Sequence, residues 1–467
     1  MTTAPAETET TPTSIFAPEL RSSSVAIVIL ITLLAFEAMA VSAALPTAAR
    51  DVHGLGGYGW AFTGFLLASV VGMVVAGQVS DSRGPRVPLG AGLVCFAGGL
   101  VLSGTATTME QLVAGRFVQG MGSGLIITSV YVVIGERFPR SLQPKVFAAT
   151  SSAWVVPSLV GPVISGALTQ HASWRLVFLG LLPFVAVGTL LLVPTLRALG
   201  HVRIEHHDAR LADPRRIVRA LCVAVGVAAL EAVAQHPSAL ASIGAVVGLV
   251  LLGWGLHGLL PDGAVRLSPG VATPVVLRGL LSGAFFGVES TIPLAMSVQH
   301  HFGATEGGLP LACAGISWAA GSWWQGREVQ RDEQRRRVVL LRCGFSLMLV
   351  AAVAVALAEL PSTPGGLIYP AWALAGFGAG IAMSSTSVLL LRFTTDAERG
   401  ANSAALQLSD STGSAITTGV AGVLVAAATR GSLTYSTAFT IVGLTMAGIA
   451  VIGVVGASRA RATGTDA

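Results

Sequence analysis

The stretch "ITLLAFEAMAVSAALPTAARD", residues 31–51, places a carboxylate inside an apolar run long enough to cross a membrane. Apolar residues dominate from Val25 to Leu34, Glu37 interrupts them, and the apolar pattern resumes as far as Leu45. A carboxylate in the hydrocarbon region is costly unless it has a partner or water, so such a residue marks a candidate functional site. The role of Glu37 therefore depends on the kind of chain that surrounds it.

The composition is that of a polytopic membrane protein. Of 467 residues, 53% are hydrophobic and only 11% are charged, and the mean hydropathy is +0.73. Soluble domains carry about 25% charged residues. The four cysteines lie in apolar runs without metal or disulfide spacing, and the sequence has no histidine cluster or nucleotide-binding loop. We therefore expect neither an enzyme nor a bound cofactor.

Fourteen apolar windows of membrane-spanning length follow one another along the chain. They predict an all-α protein whose even number of spans returns both termini to one side of the membrane. Residues 1–23 are polar, lack the features of a signal peptide and predict a disordered cytoplasmic tail. The predicted spans are 24–46, 59–79, 87–106, 109–134, 143–168, 175–195, 217–235, 239–260, 271–297, 308–326, 338–358, 367–390, 402–427 and 435–457.

The distribution of arginine predicts the orientation. With the N-terminus inside, the cytoplasmic loops receive the basic clusters at 197–219 and 327–337, whereas the outer side keeps only Arg50, Arg175 and Arg430. Both termini are therefore expected in the cytoplasm, with the protein in the inner (cytoplasmic) membrane. The net charge of +5 reflects this topology, and we expect no nucleic-acid partner.

An internal repeat divides the chain. "QGMGSG" at 119–124 and "AGFGAG" at 375–380 share their glycine spacing, and each opens a segment that ends in a charged loop. Two six-helix halves related along the membrane normal are typical of a transporter with a central site. The predicted organisation is a tail at 1–23, a bundle at 24–196, a linker with an inserted helix pair at 197–270, a second bundle at 271–457 and a tail at 458–467.

The loop between the second and third spans reads "GQVSDSRGPRVPL". With the motifs below, it resembles the major facilitator superfamily, in its fourteen-helix drug:proton antiporter branch, over roughly residues 30–457. The resemblance implies a cytoplasmic gate in which the acid accepts hydrogen bonds from a helix N-terminus and the basic residues pair with acids of the other half. An ordinary polar turn is the alternative. The gate residues would be Gly77, Asp81, Arg83, Gly84 and Arg86.

The fourth span carries "LVAGRFVQGMGSG", with Arg116 about seven residues from the outer end. It resembles the family motif in which an arginine takes part in proton coupling. The equivalent position in the second repeat is Trp372, so the duplicated scaffold does not require an arginine there. We expect a coupling role for Arg116, with Gln119 in the substrate cavity. A structural arginine that reaches the interface is the alternative.

The fifth span carries "VVPSLVGPVISG", which resembles the antiporter signature of the family. Gly161, Pro162 and Gly166 match it, whereas Pro157 and Ser165 replace two of its glycines. The resemblance implies that small residues allow close helix approach and that Pro162 bends the helix, which limits proton leak. A helix that is merely kinked is the alternative.

In the first span, "FEAMAVSAALP" resembles the branch motif of an acid followed by a polar residue and Ala-Leu-Pro. Glu37 occupies the acid position, where the family usually has aspartate. Burial and a nearby Arg116 would act on this carboxyl group in opposite directions, so that it could load and release a proton near neutral pH. A static ion pair between Glu37 and Arg116 is the alternative.

Three further acids lie in apolar spans. Glu289 lies in the ninth span, the counterpart of the first, and Asp410 lies among hydroxyl residues, so both are candidate proton-coupling residues. A satisfied structural carboxylate is the alternative for each. Glu231 belongs to the inserted pair, which we expect outside the main bundle, so a function is less expected there. The aromatic candidates for the cavity are Trp318, Phe285 and Phe286.

These patterns and the resemblance together predict a monomeric multidrug efflux antiporter that uses the proton gradient to export lipophilic or amphipathic molecules, and that would confer antibiotic resistance. Few ionisable residues lie in the spans, which favours lipophilic substrates over sugars or phosphates. An exporter of lipids or lipid-like metabolites on the same fold is the alternative, and a proton-coupled importer is a further one.

Overall fold

The computed structural model describes residues 14–139, 142–199, 214–235, 239–326, 333–394 and 399–460, called the described residues below. They form helices and turns and contain no strand. The helices are α1 Pro18–Asp51, α2 Tyr58–Arg83, α3 Arg86–Gly104, α4 Met109–Arg137, α5 Gln143–Ser152, α6 Val155–His171, α7 Arg175–Leu179, α8 Leu182–Leu199, α9 Pro214–Gln235, α10 Ala239–Leu259, α11 Ala272–Glu289, α12 Ile292–Gln299, α13 Ala304–Gly326, α14 Glu333–Ala358, α15 Ile368–Arg392, α16 Arg399–Thr429 and α17 Tyr435–Gly456.

The seventeen helices correspond to the fourteen predicted spans, because three spans are broken into two helices each. Ten segments are long and apolar enough to cross a membrane by length and composition. The all-α prediction is confirmed. The first helix begins at Pro18, inside the segment predicted as a tail, while residues 1–13 and the last seven residues lie outside the described residues.

Prolines account for the three breaks. A proline cannot donate to the carbonyl four residues before it, and its ring crowds that carbonyl. Pro293 stands four residues after Glu289, where α11 ends. Pro157 stands in the same relation to the gap between α5 and α6, and Pro183 to the end of α7. Helix α6 continues through Pro162 without a break, and the expected bend at that residue stays a prediction.

Glycines of the repeat hold each half together in the same way. In α4, Gly120 and Gly124 lie against the α2 backbone, and in α15, Gly376 and Gly380 lie against the α13 backbone. The middle glycine of each set faces a third helix, α3 in the first half and α14 in the second. A side chain at these positions would collide with backbone atoms, so the spacing read from the sequence reflects two copies of one packing arrangement.

The two halves, α1–α8 and α11–α17, meet where α2 crosses α16 and where α6 crosses α13. Two of the hydrogen bonds between the halves lie at the end opposite Pro18 and Gly456, called the far end below. There the Tyr58 hydroxyl donates to the Ser290 carbonyl at 2.8 Å, and the Thr305 hydroxyl donates to the Gln170 amide oxygen at 2.9 Å. The molecule is therefore closed at its far end.

The inserted pair is not outside the main bundle. Helix α9 packs against both α2 and α16, and α10 packs on α9. Because α2 belongs to one half and α16 to the other, the inserted hairpin contacts the junction at which the halves meet. This corrects the expectation that the pair lies apart from the bundle.

Neighbouring glycines of α3 provide a test of the packing. A Cβ at Gly99 would lie 2.6 Å from the Gln119 Cα of α4, whereas a Cβ at Gly98 would meet nothing within 4 Å. Both changes to alanine gain helix propensity equally. We expect Gly99→Ala to destabilise the purified protein by about 1–3 kcal/mol, seen as a lower melting temperature.

Gly98→Ala is the matched control and should leave the melting temperature unchanged or raise it. Equal behaviour of the two variants would contradict the described contact of α3 with α4.

Candidate functional site

Helices α1 and α4 bring Glu37 and Arg116 together inside the first half. The Arg116 Nη1 forms an ion pair with the Glu37 Oε1. Glu37 is fully buried and the Arg116 side chain is 3% exposed. Two opposite charges so deeply buried stabilise each other, since either one alone would be strongly unfavourable in this environment. The pairing expected from the sequence is present.

Three further contacts hold the Arg116 guanidinium. Its Nε donates to the Ala61 carbonyl of α2 at 2.9 Å, and its Nη1 donates to the Gln119 amide oxygen at 2.9 Å. The group also lies over the Phe65 ring, 4.2 Å from the centroid. Gln119 is fully buried, so in this conformation it orients Arg116 and does not line an open cavity as expected.

Two buried polar atoms at this pair have no hydrogen-bond partner among the described residues, the Glu37 Oε2 and the Gln119 Nε2. Buried polar atoms are rarely left without a partner, and each exception calls for an explanation. The free Glu37 Oε2 is therefore open to a further hydrogen-bond donor, such as an ordered water.

A second ion pair lies in the other half. The Arg278 Nε of α11 donates to the Asp410 Oδ1 of α16 at 3.0 Å, and the Ser282 hydroxyl bonds the same oxygen. Both charged side chains are 17% exposed, so this pair is less buried than the first. The Arg278 Nη1 also donates to the Met383 carbonyl of α15 at 3.0 Å.

Asp410 was predicted, but its partner Arg278 was not. The available signal was a single arginine six residues into an otherwise apolar helix. Such a position does not by itself distinguish a buried arginine from one that reaches the membrane surface.

Glu289 occupies in the second half the place that Glu37 occupies in the first. It is 3% exposed, and its Oε2 accepts a hydrogen bond of 3.4 Å from the Trp372 indole nitrogen. Trp372 is the repeat equivalent of Arg116, so each half pairs an acid of its first helix with a donor from its fourth. The donor is charged in one half and neutral in the other.

Glu359, at the end of α14, is a buried acid that the sequence analysis missed. It is 1% exposed, and its Oε1 accepts a hydrogen bond of 3.5 Å from the Thr291 hydroxyl, in the break between α11 and α12. Its place just after an apolar run is also typical of a loop residue at the membrane surface, so the sequence carries no distinct signal for it. Packing against the break buries it instead.

The aromatic candidates form one cluster. The Phe285 ring stacks on Trp372 at 4.7 Å and meets Trp318 and Phe286 edge-on at 5.1 and 5.3 Å between centroids. Phe285 is 2% exposed, whereas Trp318 and Phe286 are half-buried. The rings are thus in contact with one another, and Phe285 is packed in the core of the second half.

The predicted gate loop has the expected backbone but not the expected contacts. Helix α2 ends at Arg83, Gly84 turns the chain with φ of 77°, and α3 begins at Arg86. Neither arginine forms an ion pair within the described residues. Asp81 is exposed, and its charged neighbour is Arg216 at the start of the inserted helix α9.

The antiporter motif of α6 lies between the halves. A Cβ at Gly166 would come within 2.6 Å of the Thr305 Cα of α13. The Pro162 carbonyl lies against Gly308 of α13, and Gly161 faces Met39 of α1. The small residues thus permit the close helix approach that the motif implied.

The predicted coupling residues do not converge on one point. Glu37 and Arg116 form one site, Asp410 joins Arg278 in a second, and Glu289 joins Trp372 in a third. Within the described residues, no group of three or more His, Cys, Asp or Glu side chains could hold a metal ion. The arrangement consists of separate protonatable positions spread over both halves.

Solved structures share this fold. A POT family transporter in complex with a thioalcohol-conjugated peptide has a TM-score of 0.65 at 14% identity, covering 92% of this chain and 95% of that one. The human organic anion transporter MFSD10 has a TM-score of 0.63 at 14% identity, covering 94% and 100%. A D-xylose-proton symporter has a TM-score of 0.62 at 14% identity, covering 95% and 100%.

Sequence relatives include transporters of bacteria and fungi. A probable multidrug-efflux transporter of Mycobacterium tuberculosis is 27% identical over 407 residues, 83% of this chain and 84% of the relative. The MFS efflux transporter aclA of Aspergillus oryzae is 35% identical over 154 residues, 33% of this chain. That match spans only 28% of the fungal protein's own length.

The profile of the Major Facilitator Superfamily matches residues 27–369, which is most of the chain. The described helices, the repeated glycine packing and the two-half architecture agree with that match. The protein is a multi-pass membrane transporter and not an enzyme, and it belongs to the Major Facilitator Superfamily.

Proposed function

We propose that this protein exports lipophilic or amphipathic small molecules in exchange for protons, by alternating access. The observation that supports it is the buried Glu37–Arg116 pair, in which one carboxylate oxygen has no partner among the described residues. The relative from Mycobacterium tuberculosis that matches over most of the chain is named a probable multidrug-efflux transporter, which favours export of drug-like molecules. The energy source would be the proton gradient, without a cofactor.

The coupling step follows from the geometry of the pair. With Glu37 charged, Arg116 is held by the carboxylate, the Ala61 carbonyl and Gln119. A proton on Glu37 removes the charge that neutralises Arg116 and weakens the attraction between α1 and α4. Because α1 also packs on α12 and α13 of the other half, a shift of α1 would be felt where the far end is closed. Proton uptake would thereby bias the two states of the transporter.

The orientation is part of the proposal. Arginine distribution supports cytoplasmic termini in the inner membrane, so that the closed far end would face outward. A monomer would suffice, because both coupling pairs and both halves belong to one chain. The arginines of the gate loop would then form ion pairs with acids of the other half only in the opposite, outward-open state.

Replacing the carboxyl group of Glu37 provides the first test. In proteoliposomes with an imposed pH gradient, wild type should accumulate a lipophilic fluorescent cation against its concentration gradient. Glu37→Gln cannot exchange a proton but keeps its size, so uphill transport should be lost while cation binding remains. Binding is measured separately by equilibrium titration of the purified variant.

The matched control is Glu37→Asp, which keeps an ionisable group and has the residue usual in the family branch that the sequence resembles. It should retain gradient-driven transport. If Glu37→Gln accumulates the cation as well as wild type does, Glu37 is a structural residue and the proposed coupling is wrong.

The second ion pair generates a separate prediction. If Asp410 carries a second proton, Asp410→Asn should lower the number of protons moved for each cation transported. The ratio is measured by recording a pH-sensitive dye and cation flux in the same vesicles. A purely structural pair would lower the melting temperature of Asp410→Asn and leave the ratio unchanged.

A further inference from the structure

A cavity of about 370 Å³ lies between the inserted hairpin and the second half, outside the sites described above. Helices α9, α10, α16 and α17 form its walls, and almost all of its lining is aliphatic. Val420 and Ile441 are each 37% exposed at its rim, on the surface that faces the bilayer in a membrane protein. The cavity is thus accessible from the lipid side.

One ionisable group, Glu231 of α9, lines this apolar cavity. It is 1% exposed, and neither of its carboxylate oxygens has a hydrogen-bond partner of ordinary geometry among the described residues. The polar group that faces it is the Thr63 hydroxyl of α2. A buried carboxylate with both oxygens free is rare in folded proteins and calls for a ligand or a proton.

The carboxylate also lies at the crossing of the two halves. A Cβ added at Gly59 of α2 or at Gly422 of α16 would stand 2.8 Å from the Glu231 Oε1. Each of these glycines lies against the backbone of the other, so the two helices are in close contact beside the acid. The absence of side chains at both positions makes room for the carboxylate.

Among the helices that surround Glu231, the described residues place no positively charged side chain at its depth along the helix axes. On α16 the nearest charged residues in sequence to Gly422 are Arg430 and Asp410, about 12 and 18 Å away along the helix axis. The described part of α17 carries no charged residue between its ends, and α10 carries only His257 near its end. On α2 the charged residues are confined to the end away from Gly59.

We propose that this cavity binds a lipophilic monocation, such as a protonated amine with an apolar body, with Glu231 as its counterion. An apolar cavity with a single buried carboxylate offers both parts of such a ligand a matching surface. A neutral ligand would leave the carboxylate without a partner, and an anion would be repelled. The site is distinct from the Glu37–Arg116 pair and goes beyond the proposed export function.

Its location gives the site a consequence for transport. A cation held by Glu231 would stand at the contact of α2 with α16, which joins the two halves. A ligand entering from the bilayer would therefore meet the protein at a junction that moves when the halves rock against each other. A bound cation would favour the conformation of the transporter in which the Glu231 carboxylate is free to contact that cation.

Photoaffinity labelling of the full-length protein in lipid nanodiscs tests the proposal. The probe is a tertiary amine that carries an aryl azide, and its neutral amide analogue is the matched probe without charge. Peptide mass spectrometry should find the amine attached to residues 227–231 and 416–424. Glu231→Gln should reduce this labelling roughly tenfold or more, the scale of one lost charged hydrogen bond in a buried site.

Two further variants keep the result interpretable. Glu359→Gln neutralises another buried acid that does not line the cavity and should label as wild type does. Thr445→Trp changes an exposed residue of the cavity lining, fills the space and should abolish labelling even if Glu231→Gln folds poorly.

Equal labelling by the amine and the neutral amide would mean that the cavity is only an apolar groove for lipid, and would overturn the proposal. Unchanged labelling in Glu231→Gln, or no labelling of these peptides in wild type, would do the same. The measurement needs no pH gradient and leaves Glu37 intact. Its failure would therefore leave the proposed proton-coupled export unaffected, and failure of Glu37→Gln to lose transport would not bear on this site.

Discussion

The buried ion pair of Glu37 with Arg116 is the constraint around which the first half is organised. Neither charge could remain ionised there without the other, so α1 and α4 must present these two side chains to each other. The Ala61 carbonyl and the Phe65 ring of α2 complete the surroundings of the guanidinium. One charged group thereby fixes how α1, α2 and α4 are rotated relative to one another. Elsewhere the bundle relies on contacts between apolar faces.

The second half of the repeat shows how the same packing is built without a buried arginine. The glycine spacing of α4 recurs in α15 with the same neighbours, so close backbone packing is common to both halves. Where the first half has Arg116, the second has Trp372, which gives its indole hydrogen to Glu289. A neutral donor is enough to hold a buried acid in the scaffold. The guanidinium of the first half therefore exceeds what packing needs, which supports the coupling role proposed for Glu37.

The junction between the halves depends on residues without large side chains. Gly166 and Gly308 bring α6 and α13 together, and Gly59 and Gly422 do so for α2 and α16. Close crossings of this kind let rigid helices tilt against each other without repacking bulky side chains. The inserted helix α9 adds Glu231 to one of them. Through α9, the inserted pair is thus in contact with the junction between the halves.

Much of this molecule could be read from its sequence because the governing signals are local. Long apolar runs predict the spans, glycine spacing predicts the repeat, and an acid or arginine inside such a run marks a buried charge. Glu37 and Arg116 were found this way. Prolines are visible too, but their effects differ within one apolar run: a break precedes Pro157, whereas α6 continues through Pro162.

The tertiary structure alone decided which buried groups meet. Asp410 finds Arg278 across 132 residues, and Glu231 reaches a crossing built by helices from both halves. Apolar helices present similar surfaces all round, so the sequence specifies that a helix crosses the membrane but only weakly how it is rotated. Rotation is set by close packing at small residues and by the pairing of the few charges. The class and the first buried ion pair were therefore within reach of the sequence, whereas the second pair and the lipid-side cavity required the fold.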